Sequence, residues 1–113
     1  MTAIGLLKET DVVIFVDIDE TICEHSGTDP HSVRDYSKAV PIENNIIKIN
    51  KLYDEGNTIV YWTARGATTG INWVELTEKQ LNDWGAKFDE LKCDKPFFDL
   101  FIDDKVMNTK DFF

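Results

Sequence analysis

The chain has 113 residues, 42% of them hydrophobic and 12% aromatic, which is enough for one core and little else. Its formal net charge of −9 argues against a nucleic-acid partner, because proteins that bind a phosphate backbone usually carry a basic face. No apolar run is long enough to span a bilayer and the two cysteines are isolated, so we expect a reduced, cytoplasmic protein with no membrane partner.

The first predicted element is a strand over residues 12–16 that ends in two carboxylates. Its five apolar residues, four of them β-branched, indicate a strand buried on both faces of a parallel sheet. Asp17 and Asp19 follow at the carboxyl end, where ligands bind in open α/β sheets. Residues two apart on a strand point the same way, and two anions there repel unless a cation or a proton lies between them. The pattern predicts a metal site; the alternative is an acidic pair that only ends the strand and caps a turn.

The whole chain, residues 1–113, is predicted to form one continuous α/β domain. The predicted elements are a polar loop or flap over 24–40, a helix over 41–55, a strand over 58–62, a helix over 73–84, a short strand over 88–91 and a strand over 100–102. Pro41 suits the first turn of a helix and Gly56 suits its end, whereas His25 and His31 are predicted at the surface of the flap. Alternation of strands and helices implies right-handed crossovers and a parallel sheet covered by helices.

The later strand ends add a hydroxyl, basic groups and a second acidic pair. Thr63 and Arg65 follow the strand over 58–62, Lys95 precedes a proline ahead of the last strand, and Asp103 and Asp104 come directly after that strand. A guanidinium at a strand end suits a substrate phosphate or carboxylate, and it equally suits a salt bridge to one of the many acids of this chain. Both interpretations of Arg65 remain open.

Together these residues resemble the haloacid-dehalogenase-type phosphatases. That family has four motifs, which are D-x-D-x-T, a strand-terminal Thr or Ser, a Lys, and a strand-terminal acidic pair, and all four occur here in that order between Asp17 and Asp104. A response-regulator receiver domain has similar chemistry, but its acidic pair comes first. The resemblance implies a Rossmann-like three-layer α/β/α sandwich with a central parallel sheet and no cap domain.

The expected chemistry starts from charge. A carboxylate attacks a phosphate dianion only with a cation present, and Mg²⁺, which prefers oxygen ligands, suits Asp17 and Asp103. The family resemblance makes Asp17 the nucleophile that becomes an aspartyl phosphate, and it adds the backbone carbonyl of Asp19 as a metal ligand. Asp19 would be the general acid and base. Asp104 would orient metal-bound water or ligate the metal directly.

Hydroxyl and ammonium groups are expected to hold the phosphoryl oxygens. Thr63 and Lys95 take this role, with Arg65 as a further phosphate ligand. Lys92 competes with Lys95, and Lys95 is preferred because a Lys-Pro pair before the last strand matches the family.

A narrower resemblance indicates the substrate. The Thr63–Gly66 segment, Trp73, Trp84 and the Phe101–Lys105 segment are similar to small capless members found with bacterial capsule and lipopolysaccharide synthesis. The resemblance implies a small phosphorylated metabolite, a sugar phosphate, as substrate. Two alternatives remain, a phosphatase for a macromolecular end such as a nucleic-acid 3′-phosphate, and a non-catalytic binding domain that kept the fold.

No segment is long enough for a separate cap over the site. Either a second copy of the chain closes the site in a homo-oligomer, with the Phe112–Phe113 end suited to the contact, or the substrate itself covers it.

Overall fold

Three parallel strands form the central sheet of this computed structural model, which describes residues 11–25 and 34–113. In chain order, the elements are β1 (Val13–Val16), β2 (Cys23–Glu24), a 3₁₀-helix (Tyr36–Lys38), β3 (Val40–Pro41), α1 (Glu43–Asp54), β4 (Thr58–Trp62), α2 (Val74–Asp83), β5 (Glu90–Lys92) and α3 (Thr109–Phe112). The sheet order is β1-β4-β5, with β1 beside β4 and β4 beside β5 in parallel register. This confirms the α/β class and the parallel sheet.

The buried core lies on one face of this sheet. The side chains that form it come from the strands, from both longer helices and from the turn after β1: Val16, Ile18, Ile22, Ile46, Ile49, Leu52, Ile59, Tyr61 and Leu81. Because side chains alternate along a strand, Val16 and its register partner Tyr61 point to the same face. Both predicted helices therefore pack against one side of the sheet.

The opposite face of the sheet is exposed along β1 in the described part of the chain, whereas Val60 of β4, the register partner of Phe15, is only 3% exposed. Val13 is 65% exposed and Phe15 is 51% exposed, so the prediction that the first strand is buried on both faces is wrong. Phe15 makes an edge-to-face contact with Trp62 on the neighbouring strand, with 5.5 Å between ring centroids.

The predicted strand over residues 100–102 is also wrong. Leu100 is 75% exposed, Phe101 is 45% exposed and Ile102 is 87% exposed, and none of the three belongs to a strand. A short apolar run is compatible with a strand, but it becomes one only when a neighbouring backbone supplies hydrogen bonds.

The end of α1 follows the sequence signals more closely than its start. Pro41 pairs with Cys23 in the antiparallel β2–β3 ribbon, and the helix begins two residues later, at Glu43. Gly56, with φ +100°, ends the helix as predicted. The Asn57 side chain then donates to the carbonyl of Leu52 and accepts from the backbone N–H of Val12, which ties the helix end to the first strand.

The predicted flap over 24–40 is closed at its base by the β2–β3 ribbon, and residues 26–33, which include His31, lie outside the described residues. At the other end of the chain, Phe112 and Phe113 pack against the core of their own subunit, and the Lys48 ammonium lies 4.8 Å from the Phe112 ring centroid. The Phe112–Phe113 end, which was predicted to suit a contact with a second copy, is therefore packed within its own chain. In the described residues no helix has the length and apolarity needed to cross a bilayer.

Candidate active site

A cleft of about 640 Å³ opens at the carboxyl end of the sheet. Asp17 and Asp19 reach it from the end of β1, Arg65 reaches it from the turn after β4, and Lys95 reaches it from the segment after β5. The position matches the general location of ligand sites in open α/β sheets. Four of the seven predicted site residues thus line one cleft.

Asp17 and Lys95 form an ion pair in this cleft. The Lys95 Nζ lies 3.4 Å from the Asp17 Oδ1, and the two side chains are 16% and 41% exposed respectively. The backbone N–H of Lys95 donates to the carbonyl of Thr63, which places the lysine beside the end of β4. The Lys92 ammonium, in contrast, lies 6.0 Å from the Phe15 ring centroid on the open face of the sheet. Of the two lysines weighed from the sequence, Lys95 is the one that lines the cleft.

Asp19 is held by Arg65 and His25. Arg65 Nη2 donates to Asp19 Oδ1 at 2.9 Å and Nε donates to Oδ2 at 3.1 Å, which is the two-point geometry of a strong guanidinium–carboxylate pair. His25 Nε2 lies 2.8 Å from the same Oδ1. The side chains of His25 and Arg65 are 3% and 0% exposed, and that of Asp19 is 16% exposed.

The donors of Arg65 are used up by protein groups. Besides Asp19, Nη1 donates to Thr77 Oγ1 at 3.1 Å and to Gln80 Oε1 at 2.6 Å, and Nη2 lies 3.8 Å from Cys23 Sγ. A guanidinium has five N–H donors, so this arrangement leaves none for a substrate. The predicted role of Arg65 as a phosphate ligand is therefore not supported by this geometry, whereas the alternative of a salt bridge to an acid is present.

The prediction that His25 lies at the surface is wrong. Its imidazole is buried between Asp19 and the ring of Tyr36, whose centroid is 5.7 Å away. The sequence pattern predicted a loop here and gave no sign of the pairing that turns His25 inward. The β2–β3 ribbon starts four residues after Asp19 and carries His25 back towards that carboxylate.

Thr63 takes a structural position at the end of β4. The residue is 1% exposed, and its hydroxyl accepts a hydrogen bond from the backbone N–H of Arg65 at 3.1 Å. The hydroxyl thus orders the turn that presents Arg65. A phosphate would reach Thr63 only after a change in this turn.

Gly66 begins the next turn, over residues 66–70. Its φ is +84°, and a Cβ atom added there would lie 2.1 Å from the carbonyl oxygen of Ile71. The close backbone approach closes the 66–70 turn, in which the N–H of Gly70 donates to the carbonyl of Gly66. Only glycine fits this position without displacing the backbone.

Asp103 and Asp104 do not line the cleft. Both residues are exposed, and among the described residues the one group of three donors close enough to share a cation is Asp19, Cys23 and His25. That group is a poor cation site, because the Arg65 guanidinium already contacts both Asp19 and Cys23. Burial also raises the pKa of the Cys23 thiol to about 12, which disfavours a thiolate ligand.

Asp17 fits as a ligand for Mg²⁺. Its carboxylate is the more exposed of the two cleft acids and faces Lys95 at a distance longer than a hydrogen bond. Mg²⁺ in enzymes is typically bound through one or two carboxylates plus water and substrate phosphate, so a single carboxylate in the cleft is compatible with it.

The pKa values of the two acids move in opposite directions. Burial raises the pKa of Asp17 above its ordinary value, although the nearby Lys95 acts against this. Burial acts in the same way on Asp19, but the hydrogen bonds and charges of Arg65 and His25 outweigh it and lower the pKa. Asp19 is thus held as a carboxylate, and a cation at Asp17 would lower the pKa of that group as well.

A crystal structure of a target protein from Vibrio cholerae is similar in fold. The TM-score is 0.74, with 22% sequence identity over 88% of this chain and 85% of that chain. The two proteins share the α/β fold. No protein-family model matches the chain, and a search of curated proteins finds no match.

Proposed function

We propose that the protein is a Mg²⁺-dependent phosphatase of the haloacid-dehalogenase type that hydrolyses a small phosphorylated metabolite, a sugar phosphate. The observation that carries this proposal is the convergence of Asp17, Asp19 and Lys95 in one cleft at the carboxyl end of a parallel sheet. The proposal includes the three-layer sandwich, in which a further layer covers the open face that bears Val13 and Phe15.

The charges of the cleft favour an anionic ligand. Its lining includes two acidic residues and three basic ones, Arg34, Arg65 and Lys95, although the whole chain has a net charge of −9. A local excess of positive charge raises the concentration of anions at the cleft and orients them.

The proposed reaction has two steps on Asp17. In the first step, a carboxylate oxygen of Asp17 attacks phosphorus, the ester P–O bond breaks, and the leaving alcohol oxygen takes up a proton from water, because Asp19 is held ionised. In the second step, water attacks the aspartyl phosphate, which releases inorganic phosphate and restores the carboxylate. Lys95 balances charge on the phosphoryl oxygens in both steps.

Asp19 suits the second step best. Because Arg65 and His25 keep it ionised, it can accept the proton of the attacking water. The Asp19→Asn variant should therefore accumulate phosphoenzyme from p-nitrophenyl phosphate, whose leaving group needs no proton. Rapid-quench measurement of labelled protein would show this, and equal loss of phosphoenzyme formation and hydrolysis would contradict the assignment.

Mg²⁺ would be held by the Asp17 carboxylate, the backbone carbonyl of Asp19 and the Asp103 carboxylate. When bound, it supplies the positive charge that lets a carboxylate approach a phosphate dianion. Since Asp103 is exposed here, its recruitment requires the 100–104 segment to move towards the cleft.

The test is a phosphatase panel with Mg²⁺ and with EDTA, containing sugar phosphates, p-nitrophenyl phosphate and a 3′-phosphorylated oligonucleotide. We expect hydrolysis of sugar phosphates with Mg²⁺, none with EDTA, and none by Asp17→Asn. The matched control is Asp83→Asn, which removes an exposed carboxylate from α2 and should retain activity.

Each other outcome has a defined meaning. Cleavage of the oligonucleotide alone would favour the macromolecular alternative. No hydrolysis of any ester by folded protein would favour the non-catalytic domain. Sedimentation at the assay concentration tests closure by a second copy, and a monomer that discriminates sharply among sugar phosphates would contradict it.

A further inference from the structure

Arg34 is a third basic residue in the cleft, and the mechanism above does not use it. It lines the cleft with Asp17, Asp19 and Lys95, and its side chain is 35% exposed. Arg34 lies just before the 3₁₀-helix Tyr36–Lys38. The backbone there is anchored, because the Tyr36 carbonyl accepts a hydrogen bond from Gln80 Nε2 at 2.6 Å.

The charge of Arg34 is weakly matched within the described residues. Lys95 pairs with Asp17, and Arg65 donates its hydrogen bonds to Asp19 and to its other buried partners. The acid that faces Arg34 in the described part of the chain is Glu20, with Nη1 and Oε1 separated by 3.6 Å, which exceeds hydrogen-bond length. Glu20 is 58% exposed and outside the cleft lining. Within the described residues, the Arg34 guanidinium thus lines the cleft without a hydrogen-bonded acidic partner.

An aromatic wall lies in the same cleft. The rings of Tyr36 and Trp73 meet edge to face, with 5.2 Å between centroids, and both residues line the cleft. The Tyr36 ring packs against Arg65, whose guanidinium carbon lies 4.7 Å from the ring centroid. Rigid aromatic rings pack well against the C–H face of a sugar, and a cleft of about 640 Å³ is within the range of small-molecule sites.

We propose that Arg34 is a specificity-determining residue that binds a second anionic group, a carboxylate or a second phosphate, on a sugar whose reacting phosphate lies at Asp17 and Lys95. The substrate class is thus a phosphorylated sugar with two anionic groups. A guanidinium suits this task, because it binds planar or tetrahedral oxyanions through two parallel hydrogen bonds. This inference rests on the proposed phosphatase function and refines it.

The experiment measures competition against p-nitrophenyl phosphate hydrolysis. Three probes share the pyranose ring and differ in the group at carbon 6: glucose 1-phosphate, glucuronic acid 1-phosphate and glucose 1,6-bisphosphate. We expect the wild-type protein to bind at least one of the two-anion probes roughly ten- to a hundredfold more tightly than glucose 1-phosphate, which is the range of one charge-assisted interaction. Which of the two binds better distinguishes the carboxylate from the phosphate.

Arg34→Gln should abolish this preference, and Arg34→Lys should retain part of it. The matched control is Lys38→Gln, which removes the same charge from the same segment but at a residue outside the cleft lining. Equal inhibition constants for all three probes, or a preference that survives Arg34→Gln, would overturn the proposal.

Failure of the phosphatase function gives a different result. If the folded wild-type protein hydrolyses no ester, calorimetric titration of the same three probes in the presence of Mg²⁺ replaces the competition assay. A preference for a two-anion probe that depends on Arg34 would then support the binding site without the reaction, and its absence would reject the site.

Discussion

Replacing Arg65 by methionine removes one partner of a buried ion pair. The guanidinium is 0% exposed and the Asp19 carboxylate is 16% exposed, so neither charge is well solvated. Loss of Arg65 leaves the Asp19 carboxylate with His25 as its remaining close partner, and breaking a buried pair in this way costs roughly 3–5 kcal/mol in comparable sites. Thr77 and Gln80 also lose a donor each. We therefore expect the free energy of unfolding to fall by about 3–5 kcal/mol.

Urea unfolding at pH 7 measures this loss. The matched control is Lys79→Met, which breaks an ion pair of 2.6 Å with Asp83 on the exposed face of α2. The two side chains of that pair are 73% and 57% exposed, so the control should lose only about 0.3–0.5 kcal/mol. A loss for Arg65→Met that does not exceed the control by more than about 1 kcal/mol would refute the reasoning.

A double-mutant cycle separates the ion pair from packing. In Arg65→Met combined with Asp19→Asn, neither charge is left unpaired, so the combined loss should be smaller than the sum of the two single losses by about 1–3 kcal/mol. Additive losses would show that the two side chains act independently. In the proposed phosphatase, Arg65 positions Asp19 without touching the substrate, so its replacement should lower kcat. Arg65→Lys should restore part of kcat with little change in KM.

Arg65 and His25 lower the pKa of Asp19 in the folded protein, so ionised Asp19 stabilises the fold above its ordinary pKa near 4. This stability is lost as the pH falls through the lower pKa of the folded state. The difference in urea midpoint between wild type and Arg65→Met should therefore become smaller below about pH 4. Glu20 has φ +63°, so Glu20→Gly should raise the free energy of unfolding by about 0.5–1 kcal/mol, and an unchanged or lower midpoint would show that this backbone is not strained. Gly66→Ala should cost more than about 2 kcal/mol in thermal or urea unfolding, because its Cβ would overlap the Ile71 carbonyl. The control Gly70→Ala has a similar φ of +75° and no neighbour within 4 Å, so an equal loss in both variants would contradict the steric argument.

Patterns confined to a few neighbouring residues were predicted well. The strands Val13–Val16 and Thr58–Trp62 and the helices Glu43–Asp54 and Val74–Asp83 lie within one or two residues of their predicted bounds. Apolar periodicity and helix stop signals act over a few residues, and they hold in any tertiary context. Asp17 and Asp19 were placed at the cleft for a similar reason, because ligands bind at the carboxyl ends of strands in open α/β sheets. Lys95 was chosen from the family resemblance, and it too lines the cleft.

Partners distant in the chain could not be predicted in this way. The Leu100–Ile102 run has the composition of a strand, yet it lacks one in the structure, because a strand depends on a neighbouring backbone that the run itself does not specify. The exposure of each face of the sheet could not be predicted from local pattern either. Alternation shows that Phe15 and Val16 face opposite sides of the sheet, but it does not show which side a helix covers.

The role of Arg65 illustrates the limit most clearly. Its position after β4 was visible in the sequence, and it fitted a substrate ligand and a salt bridge equally well. Asp19 lies 46 residues away in the chain and Gln80 lies 15 away, and only folding brings all three together. Once they meet in a buried site, each donor takes the partner that best offsets its lost hydration. Local pattern thus determined the helices, the strands and the edge of the sheet at which Asp17 and Asp19 lie, whereas long-range packing decided that Arg65 holds Asp19.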